Sequence, residues 1–357
     1  MTTDSRIRVL IVDDSLVARE MLTQILSSDP GIEVIGEAKN GLEAIAKVAE
    51  LRPDLVTMDI HMPRCDGLKA TEQIMAYTPT PILVVSSSVY GEGMGRAFDA
   101  LEMGALEVLK KPEPRDWAHL ENIGREVIRK VKILARVKVI THIRGRRTEL
   151  HPTSPIEISP KAERGGVSLV AIGSSTGGPS ALLSILGRLP KELPVPIVIA
   201  QHIAEGFIPG LVSWLNAGCK IDVREARDGQ NVEAGAAFIA PTGTNLSMDG
   251  LTMRFTNPLS GQLYVPSADT LFESVATSIG RNSLGVILTG MGADGAKGLK
   301  LLHDTGAATI AQDESTSTVW GMPKAAVELG AARVVLPIHD IAEKMIELIA
   351  ESNGSAI

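Results

Sequence analysis

Three hydroxyl-bearing residues stand in a row in the stretch LVAIGSSTGGPSALLSIL, residues 169–186. Ser174, Ser175 and Thr176 follow an apolar run that ends at Gly173, and Gly177, Gly178 and Pro179 open a helical pattern. A strand that turns sharply into a helix supports two chemistries. It can hold a phosphate on the N–H groups of the helix N-terminus, or it can present a nucleophilic serine on a tight turn. Gly173 and Gly178 carry the glycine spacing of a phosphate loop, but Pro179 stands where its lysine is required, so the main counter-charge is missing. The dinucleotide pattern G-x-G-x-x-G does not occur in this turn. Gly173 to Gly177 does satisfy G-x-S-x-G, with Ser175 at its centre and Pro179 suited to the first turn of the helix.

A nucleophilic serine needs a base, and the base needs an orienting carboxylate. Of the seven histidines, His202 in PIVIAQHIAEGF directly follows an apolar run of the C-terminal half, whereas His303 falls inside a helical pattern and His339 near a helix start. In LGVILTGMGADGAKGL a long apolar run ends at Thr289, Gly290-Met291-Gly292 turns, and Asp294 follows. Taken singly, each residue has a structural alternative: a turn serine, a core or capping histidine, an aspartate helix cap. Serine, histidine and aspartate at three strand ends of one sheet would instead meet at one rim. The chain order Ser, His, Asp differs from the Ser, Asp, His order of α/β-hydrolases. It predicts the same triad geometry on a different fold.

A second constellation lies near the N-terminus. Asp13 and Asp14 follow the first apolar run, Asp59 the third, Ser86 ends the fourth, and Lys111 follows the fifth, ahead of Pro112. Three carboxylates at one rim repel one another unless a cation sits among them, and oxygen ligands of this kind suit Mg²⁺. A lysine and a serine beside them would counter and hydrogen-bond an added phosphoryl group.

The elements that must position these groups can be read from hydrophobic runs. Residues 7–135 alternate short apolar runs (7–12, 33–37, 54–58, 81–86, 106–110) with helical patterns. A second alternation starts at Val167, with runs at 167–173, 196–201, 220–225, 236–240, 284–290, 308–312 and 333–336, and helical patterns at 179–189, 267–280, 294–305, 322–330 and 338–350. Runs short enough to be buried on both faces predict two doubly wound α/β domains with parallel sheets, each with its chemistry beyond the carboxyl ends of the strands. The predicted domains are 1–125 and 166–357, joined by a linker over 126–165. Residues 129–147 hold eight Arg and Lys and no acid, which reads as a helix tail running into a solvated linker.

Composition narrows the class. Aromatic residues are only 3%, so the cores are built from Ala, Val, Ile and Leu, and a net charge of −7 excludes a global basic field for nucleic acid. Cys65 and Cys219 lie far apart and match no metal spacing, as expected of reduced thiols in the cytoplasm. The N-terminus lacks the apolar core of a signal peptide, and no window reaches the roughly 18 apolar residues of a membrane span.

The motifs also resemble known families. Residues 7 to about 125 resemble a receiver domain of bacterial response regulators, which implies a flavodoxin-like sheet, phosphorylation of Asp59, Mg²⁺ held by Asp13, Asp14 and Asp59, and phosphate contacts from Ser86 and Lys111. Residues 166 to about 350 resemble the catalytic domain of the chemotaxis response regulator protein-glutamate methylesterases, through AIGSSTGG, IAQHIAEGF, FIAP, PSADTLFESVA, GVILTGMGADGAKGL and TIAQDESTSTVWGMPKAAVELGAA. This implies a Rossmann-like domain with Ser175 as nucleophile, His202 as general base and Asp294 as its orienter. It also implies an oxyanion role for the backbone N–H of Met291 and support from Thr176, with no cofactor for the ester chemistry. The implied reaction is hydrolysis of glutamate γ-methyl esters on methyl-accepting chemotaxis receptors, releasing methanol, with deamidation of glutamine by the same route. A chemotaxis histidine kinase would be the phosphodonor. The unphosphorylated receiver would cover the catalytic rim, and the enzyme would be cytoplasmic and peripheral to membrane-bound receptor arrays. Three positions depart from the family pattern. Val108 stands where an aromatic switch residue is frequent, Asn245 where a histidine is usual, and LYVPS lacks the basic residue that often precedes PS. The last two lie outside the triad and are expected to bear on receptor choice more than on chemistry.

Overall fold

The computed structural model describes residues 6–86, 96–112, 120–139, 156–157 and 166–353. The chain forms two compact units, Met1–Leu150 and His151–Ile357.

The first unit runs β1 (Ile7–Val12), α1 (Leu16–Ser27), β2 (Ile32–Ala38), α2 (Gly41–Leu51), β3 (Leu55–Met58), α3 (Gly67–Tyr77), β4 (Ile82–Ser86), α4 (Arg96–Glu102), β5 (Glu107–Lys110) and α5 (Leu120–Leu134). Its strands pair in parallel in the order β2-β1-β3-β4-β5. Local chemistry starts the helices where the pattern predicts. The side chains of Ser15, Asn40 and Asp66 accept from the third N–H beyond each, and Glu43 reaches back to the Lys39 N–H. On one sheet face Val9, Ile11, Leu55, Leu83, Val85 and Leu109 pack with Leu22, Ile25 and Leu26 of α1 and Val127, Val131 and Leu134 of α5.

This packing corrects the expected domain boundary. The first domain does not end at 125, because the C-terminal half of α5 is part of its core. Part of the basic run is also internal: Lys130 is buried and pairs with Glu107 at 2.7 Å, while Lys132 reaches Asp29 at 2.6 Å. Most of the remaining predicted linker lies outside the described residues. One piece inside it, β6 (Ile156–Glu157), joins the second sheet.

The second unit continues with β7 (Leu169–Ser174), α6 (Gly178–Leu186), β8 (Ile197–Gln201), α7 (Ile208–Gly218), β9 (Asp222–Glu225), β10 (Ala236–Ile239), β11 (Asn245–Asp249), β12 (Thr252–Thr256), α8 (Ala268–Ser278), β13 (Ser283–Ile287), α9 (Ala296–Asp304), β14 (Ala308–Gln312), α10 (Met322–Glu328), β15 (Val334–Leu336) and α11 (Ile338–Asn353). The large sheet has the order β6-β15-β14-β13-β7-β8-β10-β9, parallel except for the short antiparallel edge β6. The first of the parallel strands, β7, is central. The chain builds outward from it through β8 on one side and later returns through β13 on the other. The β13/β7 junction is therefore a topological switch point, where an open α/β sheet leaves a crevice beyond its strand ends.

The β11–β12 hairpin was not among the expected strands. Its Asp249-Gly250 corner and the alternation that buries Leu246, Met248 and Met253 are a hairpin signal in retrospect. Among the described residues, no helix is long and apolar enough to cross a membrane.

Candidate active site and phosphoacceptor pocket

The three residues of the expected triad come from the three central strands. Ser174 pairs with Gln201 at the end of the β7/β8 ladder, and Gly173 pairs with Ile287 at the end of the β13/β7 ladder. The ladder continues past the strand ends: the His202 N–H donates to the Ser174 carbonyl at 2.9 Å, and the Ser175 N–H donates to the Thr289 carbonyl at 3.0 Å. The backbones of Ser175 and His202 are thus fixed side by side, with the Thr289–Asp294 turn against Ser175.

The hydroxyls of the turn divide their roles. Ser174 is fully buried and donates to Gln201 Oε1 at 2.6 Å. Gln201 Nε2 donates in turn to the Ser175 carbonyl at 2.9 Å and the His202 carbonyl at 2.8 Å. One buried amide therefore locks the chain around both residues, and the Ser174 hydroxyl is structural. Thr176 is buried, and its carbonyl accepts from Thr289 Oγ1 at 2.9 Å. Gly178 leaves room for the amide, since a Cβ there would lie 2.1 Å from Gln201 Oε1. Gly177 takes a φ of +76°, which an L side chain rarely adopts. A Cβ on Gly290 would come within 2.8 Å of Ser175 Cβ, so the turn that carries Met291 presses directly on the candidate nucleophile.

His202 and Asp294 meet at 2.8 Å, Nε2 to Oδ2. An ionised carboxylate only accepts, so the ring nitrogen at this contact is N–H and the other, Nδ1, is the acceptor. His202 Nδ1 is buried and has no hydrogen-bond partner. Asp294 is also held by the N-terminus of α8: its Oδ2 accepts from the Ala268 N–H at 2.7 Å, and its Oδ1 from Ser267 Oγ at 2.8 Å and the Asp269 N–H at 3.3 Å. Burial alone would push the Asp294 carboxyl up. The hydrogen bond and charge of His202, with the donors from Ala268 and Ser267, outweigh it and hold Asp294 below the ordinary carboxylate value. Tyr264 lies flat on the His202 ring, with centroids 4.7 Å apart and planes within 10°.

In the first unit, ligand atoms of Asp13, Asp14 and Asp59 lie within 4.8 Å of one another. Lys111 Nζ reaches Asp13 Oδ2 at 2.7 Å and Asp59 Oδ2 at 3.1 Å, and the Lys111 N–H donates to the carbonyl of buried Ser86 at 3.0 Å. Burial, with repulsion from Asp13 and against the pull of Lys111, raises the Asp59 carboxyl to about 6. Burial works against the Lys111 charge, but Asp59 and Asp13 keep the ammonium above its usual value. Three clustered carboxylates facing one ammonium leave an excess of negative charge, and an all-oxygen set of this kind fits Mg²⁺. Val108 is buried on β5, paired with Val84.

Sequence reasoning placed Ser175, His202, Asp294, Asp13, Asp14, Asp59, Ser86 and Lys111 at strand ends, and the fold brings each set together. It missed Gln201, Ser267 and Tyr264 as neighbours of the triad. Gln201 was one residue from His202 at a strand end, which is a usable signal. Tyr264 sits in an irregular segment with none.

The family model of the CheB methylesterase matches residues 170–345, and that of the response regulator receiver domain matches residues 9–120. A protein-glutamate methylesterase/protein-glutamine glutaminase of Anaeromyxobacter dehalogenans is 45% identical over 345 residues, spanning 97% of this chain and 98% of that protein. One from Syntrophus aciditrophicus is 43% identical, spanning 96% and 98%. The crystal structure of the Thermotoga maritima CheB methylesterase catalytic domain is 39% identical with a TM-score of 0.48, covering 51% of this chain and 98% of that one. With identity of this level along nearly the whole of both chains, the protein belongs to the family of protein-glutamate methylesterase/protein-glutamine glutaminases that join a receiver domain to a CheB methylesterase domain.

Proposed function

We propose that this chain is a phosphorylation-activated protein-glutamate methylesterase, acting on glutamate γ-methyl esters of methyl-accepting chemotaxis receptors and deamidating receptor glutamines. The observation that carries the reading is the His202–Asp294 contact, which leaves an unpartnered ring nitrogen beside the strand end that bears Ser175.

In this mechanism the Ser175 hydroxyl attacks the ester carbonyl while His202 Nδ1 takes its proton. Asp294 holds the ring and balances the charge that forms on it. The backbone N–H of Met291, in the turn pressed against Ser175, serves the developing oxyanion, where one donor is worth roughly 10²–10³ in rate. His202 returns the proton to the departing methoxide, and methanol leaves an acyl-enzyme. Water, deprotonated by the same nitrogen, releases the glutamate. An amide follows the same path with ammonia as the leaving group. Thr176 supports the turn. The ester chemistry uses side chains and backbone alone.

Asp59 is the phosphoacceptor, and Asp13, Asp14 and Asp59 would hold the Mg²⁺. When bound, the ion offsets charge between the carboxylates and the incoming phosphoryl group. Phosphorylation adds roughly −1.5 to −2 of charge to the pocket. Lys111 and Ser86 are the groups that re-pair with it. A chemotaxis histidine kinase fits as donor, and membrane-bound receptor arrays fit as the place of work for a cytoplasmic enzyme. The receiver is assigned to residues 1 to about 134 and the catalytic domain to 166–357, with a linker between.

Methanol release from methylated receptor membranes tests the reading. Ser175→Ala is expected to abolish it in the full chain with the fold intact by circular dichroism. Release at the wild-type rate would overturn the assignment.

A further inference from the structure

One departure from the family pattern, Asn245, and the segment that carries another, before Pro266, converge on His202. Asn245, at the start of β11, is buried; its Nδ2 donates to Gln262 Oε1 at 3.0 Å, and its Oδ1 accepts from the Ser267 N–H at 2.9 Å and from Gln262 Nε2 at 3.3 Å. Gln262 Oε1 also accepts from the Leu259 N–H at 3.0 Å. One buried amide thus ties down the segment 259–267 at two points. Tyr264 lies between the ties, its ring parallel to that of His202. The tip of Tyr264 abuts the Met291 turn, since a Cβ on Gly292 would lie 2.6 Å from its Oη. Just past the second tie, Ser267 Oγ and the Ala268 N–H reach Asp294. This segment therefore controls His202 both through its carboxylate partner and through the face of its ring.

We propose that Tyr264 is a positioning residue for the hydrolytic step, holding the His202 ring in its Asp294-bonded orientation and favouring the imidazolium that forms as Ser175 is deprotonated, with Asn245 seating the segment that carries it. The inference rests on the proposed triad. With Nε2 bound and Nδ1 unpartnered, the His202 ring can swing about its one hydrogen bond. A flat aromatic neighbour opposes that swing and attracts a cation through its π face. Because the positive ring exists only once Ser175 gives up its proton, the effect belongs in kcat and not in substrate binding.

The test uses the full chain and the variants Tyr264→Leu and Tyr264→Phe. Tyr264→Leu is expected to lower kcat for methanol release about three- to tenfold with KM within about twofold, and Tyr264→Phe to restore it. In histidine-labelled protein, the His202 ring protons, assigned with His202→Gln, should lie upfield in the wild type and in Tyr264→Phe and shift downfield in Tyr264→Leu. Wild-type kcat in Tyr264→Leu, a loss confined to KM, or His202 resonances that do not move between the variants would each overturn the proposal. The wild-type spectrum decides the matter even if Tyr264→Leu does not fold, since absence of the upfield displacement means no stack. A failure of the triad itself would appear separately, as activity in Ser175→Ala with the ring displacement intact.

Discussion

His202 gives its Nε2–H to Asp294 Oδ2 at 2.8 Å, and Asp294 in turn takes donors from Ser267, Ala268 and Asp269 at the start of α8. The carboxylate is set by a helix terminus, and the imidazole is set by the carboxylate. An amide at position 294 can satisfy the same donors only in part, and it offers His202 no charge to face. Asp294→Asn is therefore expected to lower kcat about 10³–10⁴-fold while the protein stays folded. Steady-state methanol release together with thermal unfolding separates the two. A loss under tenfold would mean that Asp294 does not orient the base.

Gln201 holds three groups in place, namely the Ser174 hydroxyl and the carbonyls of Ser175 and His202. Removing the amide leaves buried polar atoms without partners, each costing about 1–3 kcal/mol. Gln201→Ala is expected to destabilise the protein by about 3 kcal/mol and, because Ser175 and His202, the proposed nucleophile and base, both shift, to lower kcat about 10²-fold. Urea unfolding and methanol release read the two effects. Wild-type kcat in a destabilised variant would show that the amide supports the fold alone.

How far the site was legible follows from how each residue is placed. Ser175, His202, Asp59 and Lys111 sit within two residues of strand ends, and strand ends are visible as the close of apolar runs. Parallel pairing then brings them together with no knowledge of the connecting helices. Asp294 was found the same way, although it lies several residues past β13, because Gly290 and Gly292 mark the turn. Asn245 was visible only as a departure from a pattern, and Tyr264 carried no signal of its own beside the departure at Val265. Asn245 reaches the site through Gln262 and Ser267, and Tyr264 stacks on His202 from a segment with neither periodicity nor a strand end. The boundary at 125 erred because α5 turns basic on its exposed side, and the buried stripe of Val127, Val131 and Leu134 was read as part of a helix tail leading into the linker.

The two thiols make a separate prediction. Burial pushes the Cys219 thiol up to about 11, and burial beside Asp66 raises Cys65. The unfolded chain ionises near the ordinary value of about 8.5, where native Cys219 cannot follow. Stability from this group is thus fully present below about pH 8.5 and is lost as pH rises toward 11. Native Cys219 is expected to react with iodoacetamide at pH 8 about 100-fold more slowly than in urea. The alkaline loss of stability should also be shallower in Cys219→Ala. Equal alkylation rates in the native and unfolded protein would show that the half-buried surroundings of Cys219 do not hold back its ionisation.

Asp59 lies 3.1 Å from Lys111 and shares its pocket with Asp13 and Asp14. An asparagine there keeps the shape of the side chain but has no carboxylate oxygen to accept a phosphoryl group. Asp59→Asn is expected to retain a basal esterase and to lose its stimulation by a small-molecule phosphodonor such as acetyl phosphate. Chelation of Mg²⁺ is expected to do the same to the wild type, since the proposed mechanism gives the metal to the receiver and runs the ester chemistry on side chains and backbone. Methanol release with and without phosphodonor, and with and without chelator, gives four rates. Stimulation that survives in Asp59→Asn would move the switch to another residue. A basal rate that falls with the chelator would place a metal requirement in the ester chemistry itself.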